Sequence, residues 1–392
     1  MSSEICPTTA SEEYWISFRI IMASSSLISI VGSSTIICMI LRGPKKLRQL
    51  NNRIILSMSF VDILYSGALL FSTTPIPRNT HCTFGNIGNA QTCAAQGFFI
   101  HIGTCVPLYN AMLCLYYVAR ICYKIDEATI KKHCEIYMHI IALILPLGVA
   151  ILGVAFNLFH SRLVFCWFAN ECRFGDEGCG EGWNGTRAKV FNFVLCLSFG
   201  SFILVTLTII ASMSMIFFEL QKRERASKRY LFSAAVASSN SLNTRCSKRT
   251  SVAQIASEHT IKQAILYVCA LLVTYSPSMV SFIYDVVCRN RTCETPIDEL
   301  NILIAIFHPL QGFFNFIIYI RPQYVLVKAQ NSEMTFLSVL KVVILELDFN
   351  QKRRRSLPRV GISKQMRSAG KDIMSLKQRD SRPHHASKKG VR

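Results

Sequence analysis

The sequence predicts an all-α membrane protein, a seven-transmembrane helix bundle with its N-terminus outside and its C-terminus in the cytoplasm. Three observations predict it: seven long uncharged runs, the uneven distribution of Lys and Arg between them, and the gathering of cysteines and glycosylation sequons on the less basic side. The chain has 392 residues, 51% of them apolar and 17% charged, against about 25% charged in soluble domains. The apolar content excludes a disordered chain, and only 19 Gly excludes a collagen-like one. Sixteen Cys would suit a disulfide scaffold, but such scaffolds are short. A net charge of +20 would suit nucleic-acid binding. The positions of the charges argue against that, so no nucleic-acid partner is expected.

A helix needs about 20 apolar residues to cross a bilayer. The candidate spans are residues 20–41, 54–72, 94–119, 136–159, 190–218, 263–284 and 300–320, together the bundle 20–320. Asp62 is the one formal charge in all seven. Soluble core helices rarely run that long without charge. Residues 1–19 form an extracellular N-terminus, acidic up to Tyr14 and without the basic region of a cleaved signal peptide, so the first span is expected to insert uncleaved.

With seven spans the termini lie on opposite sides. One set of connecting segments holds 35 of the 43 Lys and Arg residues, and the other set holds 8. The basic set is expected to be cytoplasmic. The first short loop, Arg42–Arg53, is the strongest indicator, with five basic and no acidic residues. On the opposite side lie Cys6, Cys82, Cys93, Cys166, Cys172, Cys179, Cys288 and Cys293, in a compartment that permits disulfides. The sequons at Asn184 and Asn290 fall there too and are candidate glycosylation sites. Cys288 and Cys293 are placed to close a short local loop.

The third cytoplasmic loop, 219–262, is basic and Ser-rich. The tail, 350–392, is expected to be disordered; from Gln351 it carries fourteen basic against two acidic residues. Attraction to anionic inner-leaflet lipid is one role for that tail. Ser251 and Ser356 follow basic residues, as sites for basophilic kinases do. Segment 321–349 contains an apolar stretch too short for an eighth span and is expected to be an interfacial helix or a segment covered by protein. No internal repeat is evident, which argues against the repeat-built transporter folds.

Within the spans, polar residues carry the functional expectation. Asp62 sits near the middle of its span, where a charge is costly and is retained for a reason. Arg120 ends the third span's uncharged run, as a snorkelling anchor or as a signalling residue. His101, Tyr109, Asn110, Tyr275 and His308 are polar or aromatic groups that could line a cavity, with helix rotation unknown. Pro107, Pro146, Pro277 and Pro309 each remove a backbone hydrogen bond and permit a kink. No metal or cofactor set is expected.

Pro309-Leu-Gln-Gly-Phe-Phe-Asn315, Cys93-x-x-Gln96-Gly97-Phe98 and Cys166-Trp167-Phe168 together resemble the G-protein-coupled receptors, and within them the cyclic-AMP-receptor-like branch. The first run resembles that branch's P-x-Q-G-x-x-N. Inner loop Gly43–Arg48 and Ser59-x-x-Asp62 also fit, and the resemblance covers about residues 15–330. It implies a receptor fold, a disulfide between Cys93 and Cys166, and a heterotrimeric G protein as partner. Spacing alone leaves Cys172 and Cys179 as competitors for Cys93. Rhodopsin-like features are similar in weakened form. Asp62 matches the acidic residue of span two, and Tyr275-Ser-Pro277 the aromatic-x-Pro of span six. Asn315 and Tyr319 match the Asn and Tyr of N-P-x-x-Y, whose Pro is absent. Arg120 lies between Ala119 and Ile121 and lacks the acidic neighbour of the family motif.

The leading expectation is a signalling receptor, not an enzyme, that couples an unknown extracellular ligand to a cytoplasmic partner; the resemblance implies the plasma membrane as its location. The alternative is a seven-span transporter or ion or proton channel using Asp62. A light-driven retinal protein needs a Schiff-base Lys, and no span contains one. Neither H-E-x-x-H nor G-x-S-x-G is present to suggest an intramembrane enzyme.

Overall fold

The chain's computed structural model describes residues 12–43, 46–78, 80, 83–162, 164–169, 185–237, 265–281, 283 and 298–345. It divides into a bundle unit, Met1–Leu340, and a second unit, Lys341–Arg392. The expected sites Asn184, Asn290, Cys288, Cys293, Ser251 and Ser356, and the tail 350–392, lie outside the described residues.

The bundle begins with α1 (Glu12–Leu41), a 3-10 turn at Lys46–Arg48 and α2 (Leu50–Leu70). α3 (Ala90–Ile102) and α4 (Cys105–Ile121) form one broken crossing, followed by short α5 (Glu127–His133) and by α6 (Glu135–Ala155). A two-stranded antiparallel hairpin, β1 (Phe159–Ser161) and β2 (Cys166–Phe168), pairs Phe159 with Phe168 and Ser161 with Cys166. Then come α7 (Gly185–Ala237), α8 (Ile265–Ser281), α9 (Asp298–Phe307), α10 (Gln311–Gln330) and α11 (Phe336–Leu345). Among the described residues, five crossings are long and apolar enough to span a bilayer, and the bent pair α9–α10 makes a sixth. α8 is the shorter apolar helix, bordered on both sides by residues that are not described. The chain is an integral membrane protein, and its fold is a seven-helix bundle.

The helix ends differ from the expected spans for physical reasons. α1 starts eight residues before the expected span and takes in Arg19, whose Nη2 donates to Thr74 Oγ1 at 3.0 Å, in the turn after α2. The third crossing breaks between Ile102 and Cys105. Pro107 falls in the first turn of the restarted helix, where its missing N–H costs nothing. α6 stops at Ala155, four residues short of the expected span, and the chain turns through Asn157 with φ 48° into the hairpin. α7 continues through 219–237, so the start of the expected loop 219–262 is helix. The seventh crossing, expected to be continuous over 300–320, bends by 45° at His308-Pro309-Leu310, and its second half runs to Gln330. Of segment 321–349, the described residues 321–345 are helical in two pieces, divided by a turn in which Lys328 Nζ donates to the Ser332 and Met334 carbonyls at 2.7 and 2.6 Å.

α1 packs against both α2 and α10. The middle of its buried face is built from Ser25, Ser26, Ser29, Gly32 and Ser33, with large apolar side chains such as Phe18 and Met22 before it and Ile36 and Met39 after it. Small residues let helix backbones approach where lipid supplies no hydrophobic drive between them. A Cβ on Gly312 would collide with Ser33 Oγ and Ser29 Oγ, and one on Gly32 would lie 3.1 Å from Phe313 Cα. Gly312→Val is expected to force α1 and α10 apart. Overpacking of this kind costs about 1–3 kcal/mol or more, so the variant should show a clearly lower melting temperature and folded yield than Gly148→Val, where no atom lies within 4 Å of the added Cβ.

Candidate functional site

At the hairpin end of the bundle, Asn89 caps α3 by accepting from Thr92 N at 2.9 Å, and Thr92 Oγ1 accepts from Asn89 N at 2.8 Å. Cys93, one turn inside, is disulfide-bonded to Cys166 at the start of β2. Gln96 lies one turn further and is 4% exposed. Its Oε1 accepts from Cys166 N at 2.9 Å, and its Nε2 donates to the Ala68 and Ser72 carbonyls at 3.1 and 2.8 Å. One side chain thus ties α2, α3 and the hairpin. Gly97 and Gly153 leave room for the rings of Phe159 and Phe168, which stack at 4.7 Å.

Between the hairpin and α2, α3, α4, α7, α8 and α9 lies a cavity of about 180 Å³. Its aromatic wall consists of Tyr65, Phe165, Trp167, Phe199, Phe202 and Tyr275. His308 is enclosed by three of these rings, with centroids at 5.5 Å to Tyr65, 5.6 Å to Tyr275 and 6.4 Å to Phe165. The Tyr65 hydroxyl and His308 Nδ1 are buried without a hydrogen-bond partner among the described residues. Arg162 is the charged residue among the described ones that line the cavity, and its Nε donates to the Phe168 carbonyl at 2.9 Å.

Of the five residues expected to line a cavity, Tyr275 and His308 do so. His101 is buried against the Phe168 ring at 4.9 Å instead. The Tyr109 hydroxyl meets His139 Nδ1 on α6 at 3.2 Å. Asn110 is buried away from the cavity, its amide without a partner among the described residues. The reason is helical phase. Thr104, Pro107 and Leu108 line the cavity at i, i+3 and i+4, so Tyr109 and Asn110 fall on adjoining faces. Tyr65 and the hairpin residues were not anticipated; no periodicity in the sequence singles them out.

Toward the bundle centre, Asn315 Nδ2 donates to Asp62 Oδ2 at 2.9 Å, and Gln311 Nε2 approaches Asn315 Oδ1 at 3.4 Å. Ser33 is the other polar neighbour of the carboxyl group. Asp62, Gln311 and Asn315 are all at most 1% exposed. Tyr319, one turn beyond Asn315, takes no part in these bonds. Its ring lies 5.8 Å from Lys46 Nζ in the first loop, where burial holds the ammonium group below the ordinary lysine pKa. Pro277 is buried within α8, one turn from the cavity residue Ser281.

At the opposite end from the disulfide, Arg120 does have an acidic group nearby. Its Nη1 donates to the Ile125 carbonyl at 3.0 Å and lies 3.8 Å from Asp126 Oδ1. The acid comes from the turn after α4, where Lys124 takes φ 55°, and not from the adjacent position that Ala119 occupies. Around it, Glu127 Oε1 accepts from Leu50 N at 2.8 Å, the Tyr117 hydroxyl donates to Asn51 Oδ1 at 3.0 Å, and Arg53 pairs with Glu135 at 2.7 Å. Arg223 of α7 donates to the Ile121 carbonyl at the end of α4.

The course of the helices is shared with a known structure. The chain is similar to squid rhodopsin in its crystal structure, with a TM-score of 0.56 and 15% identity, over 87% of this chain and 93% of that chain. The fold is rhodopsin-like. At this identity the likeness concerns the course of the helices and assigns no ligand. No family model matches the sequence, and no curated protein matches it.

Gln96→Leu removes the acceptor of Cys166 N and the donor to the Ala68 carbonyl of α2 and the Ser72 carbonyl just beyond it. An unpaired buried group costs about 1–3 kcal/mol. The variant should therefore lose several degrees of melting temperature even with the Cys93–Cys166 disulfide intact, as thermal denaturation in detergent with non-reducing peptide mapping would establish.

Proposed function

We propose that the chain is a G-protein-coupled-receptor-like signalling receptor of the plasma membrane, from the cyclic-AMP-receptor-like branch. The ligand occupies the aromatic cavity, and a heterotrimeric G protein docks at the Arg120 end. The observation that carries this reading is the position of the α9–α10 bend. His308 lines the cavity, Pro309 breaks the helix, and Asn315 holds Asp62, all within one crossing.

A ligand against His308 bears on the hinge from which α10 starts. Two positions of α10 would differ in whether Asn315 reaches Asp62 and whether Tyr319 stays beside Lys46. A ligand shifts their populations only to the extent that it binds one position better. Displacement of α10 and α7 at the far end would release the Arg223 contact on Ile121 and free Arg120 from Asp126. The exposed ion pair of Arg120 is a weak restraint, since such pairs contribute about 0–1 kcal/mol.

On this reading the N-terminus is extracellular, Asn184 and Asn290 carry glycans, and Cys288 and Cys293 close a local loop. Ser251 and Ser356 meet cytoplasmic kinases, and the tail 350–392 meets anionic inner-leaflet lipid. A tag at Met1 should be accessible on intact cells and one after Arg392 only after permeabilisation; the reverse pattern would overturn the orientation.

The test of coupling is nucleotide exchange on purified G-protein subunits with the chain in nanodiscs. Asp62→Asn should change ligand-dependent exchange at least tenfold more than it changes surface expression. Arg120→Ala should reduce exchange without a large rise in basal rate. If both variants reach the surface and exchange like the parent, the signalling reading fails and the two residues are structural.

A further inference from the structure

We propose that Lys46 is a positioning residue for α10: its ammonium group restrains the helix by holding the Tyr319 ring. Burial singles it out. Arg42 and Arg48 flank it in the same loop and are exposed, as residues that merely mark the basic end of the bundle would be. Lys46 Nζ is buried and has no hydrogen-bond partner. None of the ion pairs among the described residues includes it. What it faces is the Tyr319 ring, whose centroid lies 5.8 Å away. That is within the roughly 6 Å over which a ring face attracts a cation, and the attraction strengthens when both are removed from water.

A loop lysine can ordinarily turn its long stem toward water, so the burial needs a cause, and the backbone supplies one. Lys46 N donates to the Gly43 carbonyl at 2.7 Å. The Lys46 carbonyl accepts from Gln49 N at 3.1 Å and from Asn52 Nδ2 at 3.0 Å. Asn52 is itself buried in the first turn of α2. These bonds fix the point from which the stem leaves the chain. The stem then runs beside Gly43, where a Cβ would lie 3.0 Å from Lys46 Cγ and Cδ. Desolvation of the ammonium group is costly; the ring offsets part of that cost, and does so only while α10 stays where it is. Tyr319 is 6% exposed and follows Asn315 by one helical turn, on the same face. α10 is therefore held at two levels, by the Asn315 hydrogen bond to Asp62 and by the Tyr319 ring against Lys46. The second contact needs a cation and a ring. It does not need the Tyr319 hydroxyl.

The position of α10 relative to the first loop is measured on the full chain in nanodiscs, by electron–electron resonance between spin labels at the exposed positions Arg48 and Ala329. The labels are carried on non-natural residues, because native cysteines such as Cys134 are exposed as well. Lys46→Met keeps the stem without its charge, Lys46→Gln removes the charge a second way, and Tyr319→Leu removes the ring. Each is expected to raise the population of longer distances at least threefold over the parent, and Lys46→Met with Tyr319→Leu no further than the larger single change. Lys46→Arg and Tyr319→Phe keep the cation and the ring, and are expected to retain the parent's distribution. Melting curves taken alongside separate a folding defect from a released helix. An unchanged distribution in the folded Lys46 and Tyr319→Leu variants, or an equal shift in Lys46→Arg and Tyr319→Phe, overturns the restraint. The consequence for signalling rests on the proposed function: basal nucleotide exchange is expected to rise at least threefold in the variants that release α10. Release of α10 without any exchange, in parent or variants, supports the restraint and overturns the coupling reading instead.

Discussion

Asp62 has to be satisfied by protein, and the positions of three helices follow from that. A carboxyl group 1% exposed in the middle of a bundle has no bulk water to pair with. Asn315 supplies the hydrogen bond at 2.9 Å, which requires α10 to lie close to α2. α1 packs against both, so the gap can close only if its contact face is thin. Ser29, Gly32 and Ser33 make it thin, and Gly312 meets them without a side chain. The same contact settles a backbone debt. The Gly312 N–H lies in the first turn of α10, where no carbonyl of its own helix is available, and Ser29 Oγ accepts it at 3.0 Å.

The bend before α10 connects this seam to the cavity. Pro309 lacks an N–H, and its carbonyl is approached by Ser66 Oγ of α2 at 3.4 Å. The crossing is broken where neighbouring side chains can pair the freed groups, the condition under which proline is tolerated in a membrane helix. His308 at the cavity and Gln311 and Asn315 at the centre therefore lie on consecutive turns of one crossing, with the bend at Pro309 between them.

Much of the architecture was legible in the sequence because lipid is an unforgiving solvent. Uncharged runs of about 20 residues have few soluble uses, so the crossings and the isolated Asp62 stood out. The bend at His308–Leu310 was only half legible: Pro309 announced a break, but proline gives no angle. Helix phase was not legible at all. His101, Tyr109 and Asn110 are as polar as His308, and only the packing decided that His101 meets the Phe168 ring of the hairpin, that Tyr109 meets His139 of α6 and that Asn110 is buried away from the cavity. Gln96 lay within a run that resembles a family motif, yet its three partners are two backbone carbonyls and a backbone N–H, which leave no mark in residue identity. Asp126 escaped notice as the acid near Arg120 because the turn that returns it depends on a positive φ at Lys124, a residue with no special preference for it.

The two ends of the bundle are fastened by different physics, and that difference favours motion at one of them. The hairpin end is held by a covalent bond, by the buried Gln96 side chain and by interlocked aromatic rings, all removed from water. The Arg120 end is held by Arg53–Glu135, Arg120–Asp126, Arg223–Glu219 and caps such as Glu127 on Leu50 N, with side chains that keep partial solvent exposure. Exchange of such pairs for water costs little, because water replaces much of what is lost. Separation of the hairpin from α3 would expose apolar rings and leave the buried Cys166 N–H without its acceptor. Under the proposed function, a strain applied in the cavity would be relieved at the far end, along the helices whose side chains there already pair with groups that water can replace.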